Sequence, residues 1–327
     1  MTMTSKRIAV VVGCGSIGQR HARLLGERAD IEVWGCDPSE KNLAEAQQKA
    51  PLARTFSDYR QALKSRPDLV WVCTPNRLHA PVAIEAMQAG ADVLCEKPLA
   101  DTLEAGQAIV DAVKSTGRTL MVGYTLRWTP SYRFIADAIR AGKIGTVVAA
   151  RASVQGYRSL EVARTNYRLE ESFALLLDYS HEIDALRWFL GEVQTVKAVA
   201  TTLGRREVIV KPNVIDAVLR FAGGQTATVH FDYVVRPGAR EVEILADDGR
   251  IYYHSSRDYV EYCPGQEGSC EQINVKPADY DDPYRAEIQD FLDAVDGKRA
   301  PTVSAADALA TLRVIHLIVD SYQRDSI

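Results

Sequence analysis

Ile8-Ala9-Val10-Val11-Val12-Gly13-Cys14-Gly15-Ser16-Ile17-Gly18 is the stretch that decides the fold. Its first five residues form an unbroken apolar run, as expected for a parallel strand covered on both faces. The Gly13-x-Gly15-x-x-Gly18 turn then opens a helix carrying Ala22, Leu24 and Leu25. Glycines there permit a tight turn and close approach to a pyrophosphate, whose charge the helix N-terminus favours. Gly13, Gly15, Ser16, Ile17 and Gly18 are thus candidate cofactor-binding residues. A second apolar run, Ile31 to Cys36, ends in Asp37, 24 residues after Gly13. That spacing fits a carboxylate bonded to ribose hydroxyls, and Asp37 could also cap a helix starting near Pro38.

Outward from this unit the alternation continues. Helical patterns over Leu43 to Ala50 and Ser57 to Lys64 lead to a strand from Asp68 to Cys73. Thr74-Pro75-Asn76 turns into a helix that holds His79, Val82, Ile84 and Met87. Val93-Leu94-Cys95 is another buried strand, running straight into Glu96-Lys97-Pro98. A helix from Thr102 to Ser115 and the strand Leu120-Met121-Val122 follow. Strands separated by helices of this length imply a doubly wound parallel sheet, an α/β domain over residues 1–123. Thr74, Asn76 and Lys97 then sit on the same sheet edge as Gly13, the edge where such sheets bind ligands. A residue before proline is pushed out of the α region, and an X-Pro bond is where a cis peptide is accessible. Lys97 therefore points its amine in a fixed direction, although the stretch also reads as a plain surface turn. His79 lines this edge, or else is a helix-cap or solvated histidine.

From residue 124 the pattern changes. After a helix near Ser131 to Ala141, apolar segments recur at Val147 to Val154, Gln194 to Leu203, Val214 to Phe221, Thr226 to Val235, Glu241 to Ala246 and Arg250 to His254. Thr226, Thr228, His230 and Asp232 alternate with Ala227, Val229, Phe231 and Tyr233, a period of two. Hairpin-length links such as Ala222-Gly223-Gly224-Gln225 make most pairs antiparallel. Residues 124–327 thus read as an α+β domain with an open-faced, mainly antiparallel sheet, its free face solvated or used for self-association. Helices near Pro283 to Val295 and Ala305 to Tyr322 close it. Leu175 to Gly191 reads as one helix stopped by Gly191, with Ile183, Leu186 and Leu190 as its apolar stripe. Asp178 and His181 lie together off that stripe. A carboxylate three residues from a histidine orients an imidazole as a proton acceptor, while Asp178 alone could be an N-cap.

At 327 residues the chain is long for one core and suggests two domains. A formal net charge of -4 gives no reason to expect nucleic acid as a partner. No apolar run approaches membrane-helix length, and no leader pattern is visible, so a cytoplasmic enzyme is expected. Cys14, Cys36, Cys73, Cys95, Cys263 and Cys270 form no CxxC; reduced thiols and no structural metal are expected.

GCGSIGQRH (13–21), CTPNRLH (73–79), CEKPL (95–99), GYTLRW (123–128) and DYSHEID (178–184) occur in an order that resembles the Gfo/Idh/MocA family over essentially the whole chain. The resemblance implies a Rossmann domain followed by an open-faced mixed sheet. It also implies NAD-dependent (NADP possible) hydride transfer to or from a sugar, sugar-acid, sugar-nucleotide or cyclitol hydroxyl. By position, Lys97 matches the family's catalytic lysine and His181 its catalytic histidine, with Asp178 as partner. Thr74, Pro75, Asn76, His79, Glu96, Lys97 and Arg127 would line the cofactor, and Tyr124 the substrate. Dimers or tetramers are implied too. Two departures stand out: the family's usual aspartate four residues before the histidine is Leu177 here, and its frequent Gly-Gly pair is replaced by Phe173-Ala174-Leu175.

Removing hydride from a secondary alcohol requires its hydroxyl proton to leave, which gives His181 a base to be and Lys97 an alkoxide to stabilise. An NAD-dependent glycosidase, or a sensor or corepressor that binds dinucleotide without turnover, are the alternatives. Tyr157, Arg158, Arg164, Asn166, Tyr167 and Arg168 crowd donors into one segment. Over a pocket, Tyr157, Arg158 and Arg168 would join Lys97 and His181 in binding a substrate with a carboxylate or phosphate; otherwise the segment is a solvated loop.

Overall fold

The computed structural model describes residues 6–156, 174–203, 211–265 and 269–324. The chain forms two compact units, residues 1–124 with 284–312, and residues 125–283 with 313–327. The sequence suggested a contiguous division after residue 123. Instead residues 284–312 return to the first unit, where Phe291 packs edge-on against Trp71 at 5.3 Å and both are fully buried.

In the first unit, strands β1 (Arg7–Val12), β2 (Ile31–Cys36), β3 (Arg54–Phe56), β4 (Leu69–Val72), β5 (Asp92–Glu96) and β6 (Leu120–Gly123) form one sheet. Their order is β3-β2-β1-β4-β5-β6, and every pair is parallel. The order reverses between β1 and β4, so the crevice for a ligand opens at their carboxyl ends. Helices α1 (Ser16–Gly26), α2 (Glu40–Lys49), α3 (Tyr59–Lys64), α4 (His79–Gln88) and α5 (Leu103–Thr116) connect the strands. The Ser39 side chain caps α2 by accepting from Asn42 N, so this helix starts earlier than its apolar pattern suggested. Thr102 caps α5 in the same way, and Gly117, at φ 67°, ends it in the left-handed region.

The second unit holds helices α6 (Pro130–Arg140), α7 (Ala174–Asp178) and α8 (Ser180–Leu190). Its strands are β7 (Val147–Gln155), β8 (Val193–Thr201), β9 (Val214–Phe221), β10 (Thr226–Asp232), β11 (Ala239–Ala246), β12 (Gly249–His254), β13 (Tyr259–Pro264) and β14 (Glu271–Asn274). They are ordered β14-β13-β12-β11-β7-β10-β9-β8. Among the described residues of this unit, only β7 and β10 pair in parallel. On β10, Ala227, Val229 and Phe231 are buried while Thr226 and Thr228 are exposed, the face assignment expected from the alternation. β10 stops at Asp232 because its carboxylate Oδ1 accepts from Val234 N and Val235 N at 2.6 and 2.7 Å, turning the chain. The last helices, α9 (Asp282–Val295) and α10 (Ala305–Arg324), follow.

The expected set of six free thiols is corrected at two positions: Cys263 and Cys270 form a disulfide. Antiparallel pairing sets Tyr262 opposite Glu271, so the next rung brings these two cysteines face to face. Among the described residues no helix is long and apolar enough to cross a membrane.

Candidate active site

The glycine turn is fixed by contacts that exclude side chains. Gly13 has φ +93°, and a Cβ there would lie 2.4 Å from the Cys73 carbonyl oxygen. A Cβ on Gly18 would lie 1.8 Å from the Gly13 oxygen. Gly15, the N-cap of α1, differs: a Cβ there meets nothing within 4 Å, so its backbone borders open space. With no side chain capping α1, the leading N–H groups of this helix are presented to that space, a ready anion site.

Asp37 lies just past β2 with its carboxylate anchored on three donors. Cys14 N and Asn42 Nδ2 reach Oδ2 at 2.8 and 3.2 Å, and Ser39 N reaches Oδ1 at 2.8 Å. The N-cap is therefore Ser39, and Asp37 ties the glycine turn to α2. Its oxygens keep lone pairs for ribose hydroxyls. At the end of β4, Thr74 Oγ1 and Asn76 Nδ2 are buried with no hydrogen-bond partner among the described residues. Buried polar atoms left this way are costly unless a ligand satisfies them. A bare cradle, an anchored carboxylate and two orphaned polar atoms on one sheet edge fit a dinucleotide.

β5 ends at Glu96, and the Lys97–Pro98 peptide is cis. Lys97 is the first residue beyond the ladder, whose last rung pairs Glu96 with Gly123. Its N–H donates to Glu96 Oε2 at 3.2 Å. His79 is buried, resolving the choice left open by sequence: Nδ1 lies 2.8 Å from the Pro98 oxygen and Nε2 2.9 Å from the Thr74 oxygen. It thus braces the loops after β4 and β5. Burial pushes its imidazolium toward the neutral form despite the two carbonyls, so one nitrogen donates at a time. Cys73 and Cys95 are held well above the usual thiol range by burial, with Glu96 adding to it, and offer no thiolate. Tyr124, directly after β6, is fully buried.

In the second unit, the helix expected over 175–191 is broken at Tyr179, whose φ −94° and ψ 24° separate α7 from α8. From residue 174 to 187 only Asp178 and His181 are partly exposed. Both lie off the apolar stripe of Ile183, Leu186 and Leu190, as their spacing predicts. Asp178 Oδ2 accepts from the Tyr233 hydroxyl at 2.9 Å, and Tyr179 packs on Tyr233 with ring centroids 5.2 Å apart. Arg127 is buried in the second unit in a bidentate pair with Asp184. Tyr157, Arg158, Arg164, Asn166, Tyr167 and Arg168 lie outside the described residues.

Sequence reasoning overlooked His21, buried on α1 against Glu96, and Tyr233, the partner of Asp178. His21 closes the GCGSIGQRH motif, which was its one signal; Tyr233 sits on the apolar side of an alternating strand and gave none.

Residues 7–124 match the family described as "Oxidoreductase family, NAD-binding Rossmann fold", and residues 132–252 match the GFO/IDH/MocA C-terminal domain. Levoglucosan dehydrogenase of Pseudarthrobacter phenanthrenivorans is 34% identical over 209 residues, 59% of this chain and 53% of that protein. Inositol 2-dehydrogenase 2 of Saccharopolyspora erythraea is 30% identical over 324 residues, 95% of this chain and 91% of that one. Among solved structures, levoglucosan dehydrogenase in complex with NADH shares the fold, with a TM-score of 0.87 at 23% identity over 98% of each chain. The glycine turn, the strand order and these matches make the chain a member of the Gfo/Idh/MocA oxidoreductase family, with an NAD-binding Rossmann domain as its first unit.

Proposed function

We propose that this protein is an NAD-dependent dehydrogenase or reductase acting on a secondary alcohol or ketone of a sugar, a sugar derivative or a cyclitol. The observation that carries the reading is Lys97, the first residue past β5, on the sheet edge that bears the Gly13–Gly18 turn and the orphaned Thr74 and Asn76 atoms. NAD, when bound, supplies the hydride acceptor. Lys97 would stabilise negative charge on the reacting oxygen, and His181 would take its proton, with Asp178 beside it held by Tyr233. The names of the relatives, levoglucosan and inositol dehydrogenases, support a carbohydrate substrate. The donor-rich run from Tyr157 to Arg168 supports one bearing an anionic group.

The test is absorbance at 340 nm across neutral and anionic sugars with wild type, Lys97→Met and Arg168→Ala. NADH formation that Lys97→Met lowers by about 10²-fold or more supports the dehydrogenase. Turnover preserved in Lys97→Met would overturn that role. Preference for neutral polyols, with Arg168→Ala silent, would remove the anionic substrate alone.

We further propose a homodimer or homotetramer paired through the open sheet face. That face carries exposed Val199 and Val218 beside Lys197 and Asp216, and Arg151 near Glu241 and Glu243. Both signs on one surface suit an isologous contact. A monomeric mass by light scattering at micromolar concentration would exclude it. We propose a cytoplasmic location, where the Cys263–Cys270 disulfide would face a reducing thiol pool; recovery of the protein exclusively from an extracytoplasmic fraction would exclude it.

A further inference from the structure

His21 is fully buried on α1, and its Nε2 lies 2.8 Å from Glu96 Oε1. In the tautomer with its proton on Nε2, His21 donates to this carboxylate oxygen. The other oxygen of Glu96 receives the Lys97 N–H at 3.2 Å. That N–H lies one residue past the last rung between β5 and β6, so the sheet does not hold it. The carboxylate also lies beside Gly123, where a Cβ would stand 3.4 Å from Oε1 and 3.5 Å from Oε2, at ordinary contact distance. Glu287 of α9, fully buried, completes the cluster, with one ligand-type atom from each of His21, Glu96 and Glu287 within 4.8 Å of the others. Tyr284 closes it, its ring edge-on to His21 at 5.8 Å.

A hydrogen bond from a helix to a strand-end carboxylate, passed on to the backbone of the next residue, is a device for aiming a side chain. We propose that His21 is a positioning residue that acts on Lys97 through Glu96. The proposal rests on the catalytic reading of Lys97. His21 touches no reacting atom; it fixes the carboxylate that fixes the direction in which the lysine leaves the sheet. Misplacement of a reacting group by about 1 Å costs on the order of 10²-fold in rate, so a modest drift of Lys97 is enough to be measured.

The experiment compares His21→Gln, whose terminal amide N–H reaches the place of Nε2, with His21→Leu, which has no donor. The expected result is a kcat about 10-fold or more lower in His21→Leu and largely restored in His21→Gln, with NADH Kd unchanged in both. In a Lys97→Met background, His21→Leu should cost nothing further. If His21→Leu does not fold, His21→Asn, whose amide stops short of Glu96, takes its place with the same expectation. Equal kcat in the donor and non-donor variants, or a loss that appears in NADH Kd instead of kcat, overturns the proposal. Full turnover by Lys97→Met instead overturns the reading beneath it.

Discussion

Arg127 and Asp184 face each other as a buried bidentate pair, Nε and Nη2 donating to the two carboxylate oxygens at 2.9 and 2.7 Å. Their side chains are 7% and 1% exposed. Removing either partner strands a buried charge, which costs about 3–5 kcal/mol. Arg127→Met and Asp184→Asn should each lower the urea midpoint strongly, and the double variant should cost less than their sum. The sequence resemblance placed Arg127 along the cofactor instead. If that is its main work, Arg127→Lys will fold normally and lose NADH affinity, which calorimetric titration distinguishes.

Gly13 and Gly15 should respond differently to alanine. At Gly13 the positive φ and the nearby Cys73 carbonyl oppose any Cβ, so Gly13→Ala should cost about 1–3 kcal/mol in folding. At Gly15, with φ −72° and open space ahead, alanine is tolerated by the fold. Its methyl would stand where a pyrophosphate must approach. Gly15→Ala should therefore keep the wild-type melting temperature and bind NADH about 10-fold or more weakly. Unchanged NADH affinity in this variant would remove the cradle from the cofactor site.

Asp37 sets the expected preference for NADH over NADPH. Its anchored carboxylate would repel a 2′-phosphate, and Lys41 on α2 is 3.9 Å from Glu45. Asp37→Ala should narrow the ratio of the two dissociation constants. It should also destabilise the glycine turn, because Cys14 N loses its acceptor. Tighter binding of NADPH than NADH by wild type would contradict the assignment.

His230 on β10 sits directly opposite Asp216 of β9, Nδ1 at 2.8 Å from Asp216 Oδ1 and Nε2 at 3.0 Å from Asp232 Oδ2. The hydrogen bond to Asp232 raises the imidazole to about 9, against burial and with help from Asp216. In the unfolded chain it titrates near 6.5, so the folded state binds the extra proton between these values. The stabilisation is complete below pH 6.5 and is lost as pH rises through 9. The His230 side chain is 34% exposed and that of Asp216 55%, so screening limits the effect to about 1 kcal/mol or less. Melting curves of wild type and His230→Gln should converge as pH rises from about 6 to 10. Curves that stay parallel would show the cluster to be energetically silent.

The Rossmann half was legible because β1, β4 and β5 are buried on both faces and read as plain apolar runs. β3 escaped because Arg54–Phe56 is a three-residue strand with its first two residues exposed. β14 escaped for a related reason: Glu271–Asn274 is mostly exposed and carries one apolar residue. The break at Tyr179 was invisible to helical periodicity, since Tyr179 stays buried among Phe231 and Tyr233 whether the helix is continuous or not. At the site, motif spacing located Lys97, Asp37 and the glycines. It could not say that the Glu96 side chain folds back onto the Lys97 N–H, which depends on a rotamer, or that His79 reaches the Pro98 oxygen from another loop.

The return of residues 284–312 to the first unit has a consequence for biosynthesis. All six strands of the cofactor-binding sheet leave the ribosome before residue 124, but Phe291, which covers Trp71, is translated only after the eight strands of the other sheet. Throughout that interval the nascent sheet lacks part of its apolar cover, and Glu96 and His21 lack Glu287. The earliest-made half of the protein therefore completes its packing among the last, with apolar surface left uncovered until the late helices emerge.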